Sequence, residues 1–326
     1  MQIATVSSPP FAKPDSTSSQ SRLSSLLKFD PSPLQRLSHP AAEAARVEWW
    51  VKRDDCYGPG GTDVALQGNK VRKLRGYLEG WRDWSDPRLG ILSFGGAYSN
   101  HLAALSVAGR RYGFRTIGIV RGESVSNPVL DLCRENGMDL RFVSRSEYRQ
   151  KKQAEKLFAY RAEFGPVLII PEGGSGPDSK IGTASIIPEI KTQLGPDHPI
   201  HYFQLAAGTG GTAAGVIEAP PGEANPTIEI FPVLKGGWMG EEIEKQLSVE
   251  SKSHYAWQVI DGHHWGGYAK RPPELLEFCD SFSRNYDIPL ESIYTGKLFY
   301  AVLQRIETGY YPPGSRLVTY HSGGIY

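Results

Sequence analysis

The stretch best equipped for chemistry is Gly68-Asn69-Lys70-Val71-Arg72-Lys73-Leu74. A glycine permits close backbone approach, an amide follows, and Lys70 opens a segment that reads as helix through Leu74 and Tyr77. At a helix N-terminus the dipole opposes a further positive charge, and partial desolvation eases the loss of the ammonium proton. A neutral lysine amine attacks a carbonyl to form a Schiff base. Lys70, Arg72, Lys73 and Arg75 would equally suit the solvated face of a basic helix, and spacing alone leaves both readings open.

Two other stretches offer groups to a ligand. Gly208-Thr209-Gly210-Gly211-Thr212 follows an apolar strand and precedes a helix, so its N–H groups and two hydroxyls suit an anion. The dinucleotide fingerprint would need glycine where Ala213 stands, and no Gly-Lys-Ser/Thr follows; a phosphate monoester is the better fit, with a tight ligand-free turn as the alternative. Gly95-Gly96-Ala97-Tyr98-Ser99-Asn100-His101 presents a hydroxyl, an amide and successive N–H groups, suited to a carboxylate or phenolic oxygen and also to an N-capping turn. His263-His264 lacks Cys or carboxylate at ligand spacing, so it reads as a polar loop, and no metal is expected.

The elements that must position these groups alternate. Apolar runs at 90–94, 116–120, 140–143, 167–171, 200–205, 228–234 and 317–320 read as strands. Helical patterns fall at Asn100 to Tyr112, Pro128 to Asn136, Lys151 to Phe164 and through Val216. Arg46 to Asp54 reads as a first strand, and Pro31 to Pro40 as turn-prone extended chain. This pattern implies an α/β fold of open, mostly parallel sheets covered on both faces, with ligands beyond the strands' carboxyl ends. Phe94 to His101, Pro171 to Gly176 and Leu205 to Thr212 occupy that place.

Composition narrows the partner. The 326 residues allow two lobes, and 36 Lys+Arg against 35 Asp+Glu leave +1, too little field for non-specific binding to nucleic acid or membrane. Cys56, Cys133 and Cys279 form no framework, and no apolar run is long enough to span a bilayer. We expect a soluble cytoplasmic protein with a small-molecule partner. Residues 1–21, rich in Ser and Pro, read as a disordered arm, and Trp81 and Trp84 as helix packing.

Taken with Tyr294-Thr295-Gly296-Lys297 and His321-Ser322-Gly323-Gly324, the three stretches appear in an order that resembles a known family. It is that of the pyridoxal-phosphate-dependent 1-aminocyclopropane-1-carboxylate deaminases and D-cysteine desulfhydrases, which share the tryptophan synthase β-subunit fold (type II). The resemblance runs from about Pro31 to the C-terminus. It implies pyridoxal 5'-phosphate as cofactor, a small amino acid as substrate and a homodimer. The implied large domain is 22–73 with 183–326, and the small domain 74–182. Carried across, Lys70 bonds the cofactor covalently, Lys73 contacts its phosphate, and Gly208, Thr209, Gly210, Gly211 and Thr212 cradle that phosphate. Asn100 holds the cofactor's 3-oxygen, while Ser99 with the N–H groups of Asn100 and His101 receives the substrate carboxylate. Tyr294 and Tyr268 match the family's two active-site tyrosines.

Two departures bear on the reaction. Family deaminases carry Glu after the second tyrosine and Leu after the C-terminal His; here these are Thr295 and Ser322. A hydroxyl beside the ring nitrogen makes a weaker electron sink than a carboxylate would. The expectation is therefore α,β-elimination, D-cysteine desulfhydrase-like, giving pyruvate and ammonium. Ring-opening deamination to 2-oxobutyrate, β-replacement synthesis and a non-catalytic cofactor-binding role stay open.

Overall fold

In the computed structural model, residues 29–80 and 88–325 are described; the expected arm at 1–21 and the packing of Trp81 and Trp84 lie outside them. The continuous apolar runs pair as parallel strands. In chain order the strands are β1 (Leu34–Leu37), β2 (Glu48–Arg53), β3 (Gly90–Gly95), β4 (Arg115–Arg121), β5 (Asp139–Val143) and β6 (Val167–Ile170). Then follow β7 (Tyr202–Ala207), β8 (Thr227–Pro232), β9 (Trp257–Val259) and β10 (Arg316–His321).

They form two sheets. One has six strands in the order β1-β2-β10-β7-β8-β9, parallel except for β1 against β2; the other has four, β5-β4-β3-β6, all parallel. All six residues of β3 are buried, as a strand covered on both faces requires. The expected α/β architecture of largely parallel sheets is thus present.

The helix beginning at Asn100 starts where its cap dictates: the Ser99 hydroxyl accepts from Leu102 N–H, and Gly113 ends Asn100–Tyr112 in the left-handed region.

Differences from the expected elements have local causes. Leu34–Leu37, expected as turn-prone chain, is an edge strand because Leu34 to Leu37 register antiparallel with Lys52 to Trp49. Tyr294-Thr295-Gly296-Lys297, expected only as a motif between elements, opens the helix Thr295–Glu307. Its start carries no adjacent Ser, Asp or Asn cap; instead the Glu291 carboxylate accepts from the N–H groups of Ile293, Tyr294 and Thr295 at 2.7, 2.8 and 2.6 Å.

The Lys70 segment forms the helix Gly68–Gly80, but it is not a solvated basic face. Arg72 and Lys73 are 1% and 2% exposed. Arg72 reaches Asp54 at 2.6 and 2.8 Å and Glu189 at 2.9 Å, and its guanidinium lies 4.0 Å from the centre of the Tyr57 ring. Lys52 bonds the same Glu189, and Ser32 and Tyr320 donate to Asp54. Burial alone would raise the Asp54 pKa, but the Arg72 charge and these hydrogen bonds more than offset it and hold the carboxylate below its usual range. One face of the helix is thereby locked, and Lys70 and Lys73, three residues apart, share another.

Candidate active site

Gly68 has φ +67°, and a β-carbon there would lie 2.2 Å from the Ser322 carbonyl oxygen, so only glycine fits this crossing. Asn69 N–H donates to the same oxygen at 3.1 Å. The C-terminal motif is thus stitched to the start of the Lys70 helix. Asn69 also donates from its side chain to Thr212 Oγ1 at 3.1 Å, which ties the lysine segment to the glycine loop.

The two segments face one cavity of about 700 Å3, between the carboxyl ends of β3 and β7. Lys70 and Lys73 line it, with Gly208, Thr209, Gly210, Gly211 and Thr212. Ser99, Asn100 and His101 form another wall, and Tyr268, Tyr294 and Ser322 complete it. Thr295 is the exception and a correction. It is fully buried outside the lining, because as the first helical residue it turns its hydroxyl back onto Glu291, accepting from that residue's N–H at 3.0 Å.

The electrostatics of the cavity favour neutral amines. Desolvation lowers the Lys70 pKa from 10.5 to about 8. Among the described residues its amine has no ion-pair partner. Burial and then the Lys70 charge push Lys73 well below the usual lysine range; its amine donates to the Gly173 carbonyl at 3.0 Å. Burial, with Lys70 and Lys73 adding, likewise keeps His101 neutral. Ser93 Oγ donates to the Ile170 carbonyl at 2.8 Å, so it receives the His101 Nε2 proton at 2.9 Å and leaves Nδ1 as an unpartnered buried acceptor.

Tyr268 and Tyr294 meet edge to face, ring centres 6.0 Å apart. Burial raises both phenols, Tyr294 further because Tyr268 adjoins it. The loop bearing Tyr268 is pinned by Lys297, whose amine donates to the carbonyls of His264 at 3.0 Å and Gly267 at 2.9 Å. His264 serves that loop by accepting from Gly266 N–H, and no metal-type cluster occurs among the described residues.

Sequence reasoning missed several contributors. Ser175 bonds Thr209, hydroxyl to hydroxyl, at 2.7 Å, and Gln246 donates to the Thr209 carbonyl at 3.0 Å, so the glycine loop is braced from two sides. Glu291 positions Tyr294 through its backbone. Neither brace carries a sequence signal, whereas Arg121 on the cavity wall closes β4 as Gly95 closes β3, and that alignment of strand ends was readable.

The donor set fits pyridoxal phosphate. A neutral amine suits its aldehyde, and glycine N–H groups with two threonine hydroxyls and a second lysine suit its phosphate; no carboxylate lies in that loop to repel it.

Comparison with known proteins agrees. The family model described as "Pyridoxal-phosphate dependent enzyme" matches residues 26–323. A provisionally named 1-aminocyclopropane-1-carboxylate deaminase of Thermotoga maritima is 27% identical over 322 residues, covering 92% of this chain and 96% of that one. The "Bifunctional D-cysteine desulfhydrase/1-aminocyclopropane-1-carboxylate deaminase, mitochondrial" of Arabidopsis thaliana is 26% identical, covering 90% and 76%. A solved structure titled as an "ACC deaminase homologue" superposes with a TM-score of 0.75 at 24% identity, covering 92% and 91%, which shows the shared fold. No helix among the described residues is long and apolar enough to cross a membrane.

Proposed function

From the premise that this chain belongs to the pyridoxal-phosphate-dependent enzymes, within the 1-aminocyclopropane-1-carboxylate deaminase and D-cysteine desulfhydrase group, we propose that it is a lyase. Its reaction is loss of the β-substituent from a small amino acid, giving a 2-oxo acid and ammonium. The observation that carries this reading is the link from Asn69 to Thr212, which sets the Lys70 amine and the glycine loop on one cavity.

In this reading Lys70 would hold the aldehyde carbon, and the N–H groups and hydroxyls of Gly208 to Thr212, with Lys73, would hold the phosphate. Asn100 would hold the 3-oxygen, and Ser322 would face the ring nitrogen. When bound, the cofactor supplies a sink for the electron pair released at the substrate's Cα. The remaining work falls to side chains. Ser99 and the N–H groups that begin the Asn100–Tyr112 helix bind and orient the carboxylate. Lys70 would take the substrate's α-proton on Nζ, since an amine titrating near 8 is partly neutral at physiological pH. Tyr294 and Tyr268, both raised, stay protonated and serve as donors to the departing group.

Elimination is supported by the hydroxyl of Ser322 on the cavity wall, where the family's deaminases carry Leu. A second reading, ring opening of 1-aminocyclopropane-1-carboxylate to 2-oxobutyrate, is supported by the names of the relatives. Assay of the keto acid released from a panel of D- and L-amino acids and the cyclopropane separates them. Pyruvate from a β-substituted amino acid is expected; 2-oxobutyrate from the cyclopropane alone would replace the first reading with the second.

A further inference from the structure

The cavity wall carries cationic side chains besides the two lysines proposed to hold the cofactor. Beyond Lys70 and Lys73, the wall on the four-stranded side carries Arg121, Lys151, Lys152 and Arg161. Arg121 ends β4, Lys151 and Lys152 follow the helix Arg145–Arg149, and Arg161 lies on the helix Ala154–Phe164. Of the carboxylates on the lining, Glu172 is paired with Lys151 at 3.2 Å, and Glu242 comes from the chain after β8. Among the described residues Arg121, Lys152 and Arg161 have no ion-pair partner.

Arg121, Lys152 and Arg161 are exposed, and two of the four cations are held in place by an aromatic ring. The Tyr148 ring, 2% exposed, is a platform for two of the cations: the Arg121 guanidinium lies 5.7 Å and the Lys151 amine 4.4 Å from its centre. A β-carbon on Gly96 would lie 3.6 Å from an Arg121 guanidinium nitrogen, which sets that group over the turn leading to Ser99 and Asn100. Arg121 thus stands next to the place proposed for the substrate carboxylate. A planar guanidinium fork suits an oxyanion, and nearby cations raise local anion concentration at the mouth.

We propose that this wall is a second anion subsite, which selects amino acids whose β-carbon bears an oxyanion, either a sulfonate or a phosphate ester. The proposal rests on the lyase reading for its chemistry. The α-proton passes to Lys70, the former Cα–H pair becomes the Cα=Cβ bond, and the substituent leaves with its bonding pair as sulfite or phosphate. Water then releases pyruvate and ammonium, so no further reactant is needed.

Binding is tested apart from turnover. Calorimetric titration of the holoenzyme with 2-amino-3-phosphonopropionate, which has no β-leaving group, is compared with alanine in both enantiomers. The anionic ligand is expected to bind about tenfold tighter or better, and Arg121→Gln to collapse that ratio while Arg121→Lys retains part of it. Added salt should weaken the anionic ligand selectively. Equal dissociation constants in the wild type would overturn the subsite; so would an Arg121→Gln protein that loses both ligands equally, which would assign Arg121 to the α-carboxylate. Turnover of cysteate against O-phosphoserine then identifies the oxyanion. A binding preference without 2-oxo acid from any amino acid would sink the lyase reading and leave the subsite standing; pyruvate from uncharged substrates without that preference would do the reverse.

Discussion

At about pH 8 half of the Lys70 amines are neutral, and desolvation by the surrounding protein is the cause. The sign follows from that cause: a depressed lysine is protonated and unreactive below its pKa and nucleophilic above it. We expect the rate of pyridoxal phosphate capture by cofactor-free protein to rise roughly tenfold per pH unit below 8 and to level off above it. A profile that keeps rising to pH 10 would show an ordinary lysine. The place of Lys70 near the start of a helix was readable because glycine, amide and lysine fall together before an apolar helical pattern. The place of Thr295 was not, since its hydroxyl is turned by a helix start that depends on Glu291, four positions upstream.

The helix Gly68–Gly80 presents Lys70 because its other face is locked by charge. Arg72 neutralises Asp54, which is fully buried, and Glu189, 117 positions away. Removing the guanidinium leaves an unpaired buried carboxylate, so Arg72→Ala should cost about 3–5 kcal/mol of stability. A denaturant midpoint implying less than about 1 kcal/mol would mean the network is not structural. The neighbouring helix Pro177–Thr183 packs so closely that a β-carbon on Gly182 would lie 1.9 Å from the Arg72 carbonyl oxygen. Gly182→Ala should therefore cost about 1–3 kcal/mol and shift the Lys70 helix, read as a lower melting temperature and weaker cofactor retention. The parallel strands were legible from their unbroken apolar runs. The burial of Arg72 was not, because a basic helical face looks the same in sequence until its distant carboxylates are placed.

For the whole molecule, the cavity draws one wall from each sheet: Ser99 to His101 beyond β3, and Gly208 to Thr212 beyond β7. A ligand contacting both walls stabilises the native state by mass action. Stripping pyridoxal phosphate should lower stability by about 4 kcal/mol relative to protein holding it at a thousandfold excess over its dissociation constant. Unfolding curves that coincide with and without the cofactor would contradict a site between the sheets. The central claim is narrower: Lys70, and not its buried neighbour Lys73, holds the cofactor. Borohydride reduction of the holoprotein followed by peptide mapping tests it most directly. The account predicts the phosphopyridoxyl group on Lys70; recovery of that group on Lys73, or on any other lysine, would contradict it.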